Sequence, residues 1–429
     1  MKQIFFAGIA LFFASSCPAQ ALIDKLINAQ ETERVESILS SDKMEGRKVF
    51  TPAIDRAADF IAGEFKKAGL HLLNGSSSYL QDFTITRSTF ISAKAVLDRT
   101  VIETRNIVTY TSKPDLYVTP DSGYIKTYIR PGDNFREKAM HIIQADSNFI
   151  VLVDTSLAKD FHRMPAVRRN VTSSPRSAVF ILTQIDPVKY EINVKHEISK
   201  PKLNNVVGMI PGKSRKDEYV IFSAHYDHLG IGTPNEQKDS IFNGANDDAS
   251  GTTAVILLAR YFAQLNNNER TLIFVAFTGE ESGGYGSQYF SRQLDPSKVA
   301  AMFNIEMIGT ESKWGTNSAY ITGFEKTDFG KILQKNLEGS VFHFNPDPYT
   351  DQHLFYRSDN ATLARQGVPA HTLSTSKMDN EKFYHTRGDE IQTLDMKNMA
   401  EIIKSIAISA STIISGKDSP SRVDTTQLK

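Results

Sequence analysis

The stretch EYVIFSAHYD, residues 218–227, runs from an apolar, β-prone core at Tyr219–Phe222 directly into a polar tip that carries His225 and Asp227. An apolar run of this length bounded by turn residues reads as a buried strand. Its polar end marks the sheet edge at which an open α/β fold presents its chemistry. Two later stretches repeat the pattern. TLIFVAFTGEE (271–281) turns polar at Glu280, and AAMFNIEM (300–307) does so at Glu306. Two loops, NGANDDASG (243–251) and FYHTRGDE (383–390), add Asp247 and His385. The expected fold class is α/β, with a mixed, mostly parallel central sheet flanked by helices and a smaller β-rich inserted domain.

Imidazole and carboxylate are the ligand types that zinc takes in catalytic sites, where one position stays open for water. His225 and Glu306 could serve one ion and Glu281 and His385 a second, with Asp247 bridging the two through its separate oxygens. Glu280, adjacent to a ligand, is then free to act as general base. Successive side chains diverge along an extended backbone, so Glu280 and Glu281 can hardly bind the same ion. Asp227 lies two residues from His225, shares its strand face, and is expected to orient the imidazole with its carboxylate. His228 falls on the other face and is left outside the site. The same oxygen and nitrogen donors would also accept manganese or cobalt.

Each segment alone has a plainer reading. A histidine at a strand end is usually hydrogen-bonded, paired acids usually make a solvated turn, and Asp247 with Asp248 in a Gly/Asn/Ser-rich loop would ordinarily form a turn or a helix cap. The five together, set at strand ends and in the loops beside them, point to a two-metal hydrolase.

These segments resemble the zinc-dependent exopeptidase family of two-zinc aminopeptidases and glutamate carboxypeptidases, with the glutaminyl cyclases as a divergent branch. The resemblance covers roughly residues 200 to 415, with a weaker family-like stretch at SSDKMEGR (40–47) and AIDRAADFIAGEFKKAGL (53–70). It implies that His225, Asp247, Glu281, Glu306 and His385 are metal ligands, that Glu280 is the base, and that Asp227 and Asp389 are orienting carboxylates. It also implies a cis peptide between Asp247 and Asp248, which places Asp248 beside the ligands, and a tyrosine, Tyr384, donating to the tetrahedral intermediate. In LFYRSDNATLARQGVPA (354–370), Ser358 and Asp359 resemble an S-D pair beside the substrate pocket. One departure stands out: Glu306 occupies a position where many members carry aspartate. The activity implied is hydrolysis of N-terminal peptide bonds by a secreted enzyme with two zinc ions. The alternatives within the family are a single-zinc glutaminyl cyclase-like acyltransferase and a dipeptidase or carboxypeptidase.

Composition agrees with an enzyme acting on peptides. Forty-nine basic residues balance 49 acidic ones, which removes the simplest case for nucleic acid as a partner. The N-terminus reads as a secretory leader over residues 1–21: MKQ, the apolar IFFAGIALFFA, then SSCPAQA. The apolar run is too short for a stable membrane span. Cleavage after Ala21 would start the chain at Leu22, whereas processing at ASSC would leave a lipid anchor on Cys17. Either route leads to the periplasm or the exterior. Residues 22–94 are expected to form a helical segment packed on the catalytic domain, 95–200 a β-rich insert resembling a protease-associated domain, 201–416 the catalytic domain, and 417–429 a disordered tail. Ser250 is expected to cap the helix that begins SGTTAVILLARYFAQL. Nothing in the sequence fixes an oligomeric state.

Overall fold

The computed structural model describes residues 18–73, 75–164 and 175–428. The expected leader falls largely outside them, and Cys17 with it. Among the described residues no helix is long and apolar enough to cross a membrane. The chain forms two units, one made of residues up to Asp82 together with those from Asn204 onward, the other of Phe83–Leu203.

The first unit is built on an eight-stranded sheet: β1 (Leu80–Thr84), β2 (Lys202–Ile210), β3 (Arg215–His225), β4 (Arg270–Phe277), β5 (Val299–Ile305), β6 (Ser318–Ile321), β7 (His343–Pro346) and β8 (Ala370–Ser374). Their spatial order is β1-β2-β4-β3-β5-β8-β6-β7. The four central strands β4, β3, β5 and β8 run parallel, while β2 against β4 and β6 against β8 are antiparallel. Because β side chains alternate, each central strand feeds two cores. Val220, Phe222 and Ala224 join Phe274, Ala276, Phe303 and helices Ala29–Leu39, Pro52–Ala68, Ser250–Leu265 and Met396–Ser409 on one face. Ile221, Ile273, Val275 and Met302 meet Phe290 and Leu363 on the other. This double burial explains why the strands read as unbroken apolar runs.

Helix ends follow local chemistry. The helix Pro52–Ala68 opens on Pro52 and closes on Gly69 at φ 77°, the left-handed conformation that a side chain disfavours. Asp395 accepts from the main-chain N–H groups of Lys397 and Asn398 to start the last long helix. Ser250 does not cap: its Oγ donates to Asn246 O and accepts from Ile308 N, so it ties two loops together.

The C-terminal stretch is not disordered. Buried Arg270 donates to Asp418 O and to Ser419 Oγ, Arg422 donates to Val299 O, and Val423, 4% exposed, hydrogen-bonds to Gly367 O. A polar composition suggested a solvated tail, but its groups satisfy a buried guanidinium and the carbonyls of Val299 and Gly367.

The second unit contains an antiparallel four-stranded sheet and a mixed four-stranded one, with Leu97, Leu116, Ile150, Val179 and Ile192 among the side chains of its core.

Candidate metal centre

Three neighbouring parallel strands end at one edge, and each delivers its polar tip there. His225 is the last residue of β3, Glu280 and Glu281 follow β4 after a turn through Gly279 at φ 77°, and Glu306 is the first residue beyond β5. The loop before helix Ser250–Leu265 brings Asp247, joined to Asp248 by a cis peptide. His385, at φ 55°, turns in from the loop after β8.

These side chains form two trios that share Asp247. His225 Nε2 lies 3.2 Å from Asp247 Oδ1 and 3.3 Å from Glu306 Oε1. His385 Nε2 lies 3.2 Å from Asp247 Oδ2 and 3.1 Å from Glu281 Oε1. An ion with tetrahedral bonds of about 2.0 Å separates neighbouring ligand atoms by about 3.3 Å. The spacing therefore fits an ion in each trio, with the two oxygens of Asp247 divided between them.

The surroundings hold this arrangement. Asp248 Oδ2 accepts from His225 N at 3.2 Å, and its Oδ1 accepts from Gly251 N and Met307 N at 3.0 Å, pinning β3, the helix start and the end of β5 together. Asp389 accepts from Asn246 N at 2.7 Å and Asp247 N at 3.0 Å. Ser358 Oγ makes a short hydrogen bond to Glu306 Oε2, leaving Oε1 turned toward His225. That bond gives the longer stem of Glu306 a fixed aim.

Asp227 works differently from the expectation. Its main-chain oxygen, 3.1 Å from His225 Nδ1, is placed to accept the Nδ1 proton, so that a neutral ring would present Nε2 as its metal donor. Its carboxylate is 3.8 Å from Nδ1 and accepts instead from Glu280 N at 3.0 Å. It positions the backbone of the base, because the strand ends at His225 and the alternation that would align the two side chains ends with it.

His228, expected on the other face, lies beside the ligands, because the alternation stops at the strand end. Its Nδ1 is 2.9 Å from Glu281 Oε1. Arg47, in SSDKMEGR, is fully buried and donates to four carbonyls: Tyr226, Leu39, Asn243 and Gly244. Hydrogen bonds to carbonyls leave no trace in the sequence of the acceptors.

The charges of the site's own side chains are displaced from ordinary values. Burial raises Glu280 well above the usual carboxylate range; His225 opposes this, and Glu306 and Asp359 add to it. Burial would raise Asp247 too, but hydrogen bonds from His225 and His385 hold it well below that range. Burial depresses His385, yet Asp247 and Glu281 push it up to about 10. His225 is likewise held high, against its burial, by Glu306 and Asp247.

Asp247, Glu280, Glu306 and His385 line a cleft of about 510 Å³ together with Tyr320, Leu354 and Met378. Ser358 and Tyr384 also face it, and the Tyr384 ring stacks on His385 at 3.9 Å. Asp359 does not line the cleft. It is 2% exposed, at the start of helix Asn360–Ala364, and burial pushes its carboxyl up to about 7.

Residues 205–409 match the model of peptidase family M28. A probable leucine aminopeptidase of Arthroderma otae is 26% identical over 304 residues, 66% of this chain and 78% of that protein. Among solved structures, the fold is shared with an aminopeptidase from Aneurinibacillus sp. strain AM-1 at TM-score 0.55 and 19% identity, covering 95% of this chain and 98% of that one. It is also shared with BSAP, a zinc aminopeptidase from Bacillus subtilis, at TM-score 0.56 and 16% identity, covering 94% and 97%.

Proposed function

We propose, from the match of residues 205–409 to peptidase family M28, that the chain is an aminopeptidase holding two zinc ions, with Glu280 as general base. The observation that carries this reading is the pair of ligand trios sharing Asp247 beside a cleft that Glu280 also lines. His225, Asp247 and Glu306 would hold one ion, and Asp247, Glu281 and His385 the other. Two complete trios favour this over a single-zinc cyclase.

Divalent cations held by these residues would supply polarisation of a peptide carbonyl and acidification of a bound water. Glu280 accepts the proton of the attacking water and hands it to the leaving amine. Its main-chain N–H is fixed by Asp227, which limits the directions its carboxylate can take. Tyr384, stacked on His385 at the cleft wall, offers a hydroxyl to the developing oxyanion. Burial keeps that phenol protonated, and so a donor. Tyr320, Leu354 and Met378 supply an apolar wall suited to a large aliphatic side chain of the substrate. The leader-like N-terminus supports export before the enzyme acts.

Hydrolysis of leucyl anilide should disappear on chelation and return with added zinc. Activity that survives complete metal removal would end this reading. Zinc loading should also release protons. At pH 7 a His385 raised to about 10 is protonated in the metal-free site, and zinc needs the neutral imidazole. Affinity should therefore climb with pH up to about 10. Calorimetric titrations in buffers of different ionisation enthalpy should give slopes that report release; zero slope would contradict the assigned ligands.

A further inference from the structure

The side chain of His228 is completely buried; Nε2 has no hydrogen-bond partner, and Nδ1 has only a close, poorly aligned contact with the carboxylate of Glu281. His371, equally buried, shows the ordinary arrangement: Nδ1 meets Thr322 O at 2.9 Å and Nε2 meets Thr327 Oγ1 at 2.7 Å. A polar group left unpaired in the interior is costly. Such groups persist where something other than protein answers them.

The direction of the His228 ring says what that would be. Its Nδ1 lies 2.9 Å from Glu281 Oε1 and 4.0 Å from Asp247 Oδ2, the two oxygens that also flank His385 Nε2. Glu281 Oε1 likewise meets the two rings, His228 at 2.9 Å and His385 at 3.1 Å, without a well-aligned hydrogen bond. Two close polar atoms without hydrogen-bond alignment are placed as ligands of one cation are placed. The ring is also fixed. The backbone of Gly244, at φ 60°, closes on it so tightly that a Cβ there would sit 2.5 Å from its Cγ and Cδ2. From the other side, His228 N donates to Arg47 O at 3.3 Å.

We propose that His228, through Nδ1, is a fourth protein ligand to the ion held by Asp247, Glu281 and His385, which makes that ion the tightly bound member of the pair. This rests on the two-ion reading above. Two imidazole nitrogens and two carboxylate oxygens give this ion four protein donors against three for its neighbour, so it is the better retained, and zinc can still expand to take a fifth ligand. The trio of His225, Asp247 and Glu306 keeps its open position and holds its ion more loosely.

The test is a zinc titration of the full chain against a chromophoric chelator, with X-ray absorption on the form that retains one zinc. Wild-type protein should bind two ions in separate steps, and the one-zinc form should show two imidazoles on the metal. H228Q should weaken the tight step by more than about 100-fold, beyond the effect usual for a residue that only orients a ligand. Two bound ions with a single imidazole in the one-zinc form, or an H228Q tight step within tenfold of wild type, would overturn the role of His228 and leave the two-ion reading intact. Saturation at one ion per chain would overturn that reading itself. If H228Q does not fold, the imidazole count on wild-type protein decides alone.

Discussion

Glu280→Gln should retain both zinc ions, leave KM for leucyl anilide near the wild-type value, and lower kcat by about 10²–10⁴-fold, the range for losing a positioned proton acceptor. Glutamine has the size of glutamate and keeps the main-chain N–H that Asp227 accepts, so the turn after β4 survives. Only the capacity to take a proton is lost. The pH profile separates this from simple damage. Glu280 must be deprotonated to act, so the rate of the wild-type enzyme should rise with pH through the pKa of that group. Burial and the neighbouring Glu306 and Asp359 raise that pKa, while the bound cations would lower it. In the glutamine variant this acidic limb should vanish together with the rate. Two zinc ions per chain by elemental analysis with kcat within tenfold of wild type would remove Glu280 from its role.

The strand-end acids were legible because their chemistry coincides with a change in hydropathy. TLIFVAF must be apolar to lie in the middle of the sheet, so Glu280 and Glu281 stand out where it stops. His225 and Glu306 are marked in the same way, and Asp247 and His385 by the loops that frame them. What failed was extrapolation beyond a strand. Alternation by two holds inside β3, which ends at His225. Beyond that point the chain turns, so the main-chain oxygen of Asp227, not its carboxylate, meets the imidazole, and His228 faces Glu281. Ser250 reads as a cap by type, yet its hydroxyl joins Asn246 O to Ile308 N. The substitution at Glu306 was visible, whereas its compensation by Ser358, 52 residues away, was not. Long-range bonds to particular oxygens carry no periodic signature.

Arg47→Met should lower stability by about 3–5 kcal/mol, the cost of breaking a buried charge network by removing one partner. The guanidinium is fully buried, with Nε donating to Tyr226 O at 2.7 Å, Nη1 to Leu39 O at 2.8 Å and Asn243 O at 2.6 Å, and Nη2 to Gly244 O at 2.8 Å. Methionine fills part of the volume but answers none of these oxygens, and each buried carbonyl left bare costs about 1–3 kcal/mol before relaxation. Glu36, Asp389, Asp227 and Asp247 lose a cation at the same time. Lysine should recover little, because one ammonium cannot reproduce a planar fork that reaches three segments. Urea unfolding of the chelator-treated protein should therefore shift to a lower midpoint for both variants, and an unchanged midpoint would dismiss the network. The effect should reach the metals as well. Tyr226 follows His225 directly, and Asn243 and Gly244 precede Asp247 in the loop that carries it. Arg47 thus ties the His225 strand end to the Asp247 loop, and its loss should weaken zinc binding even in the fraction of protein that remains folded.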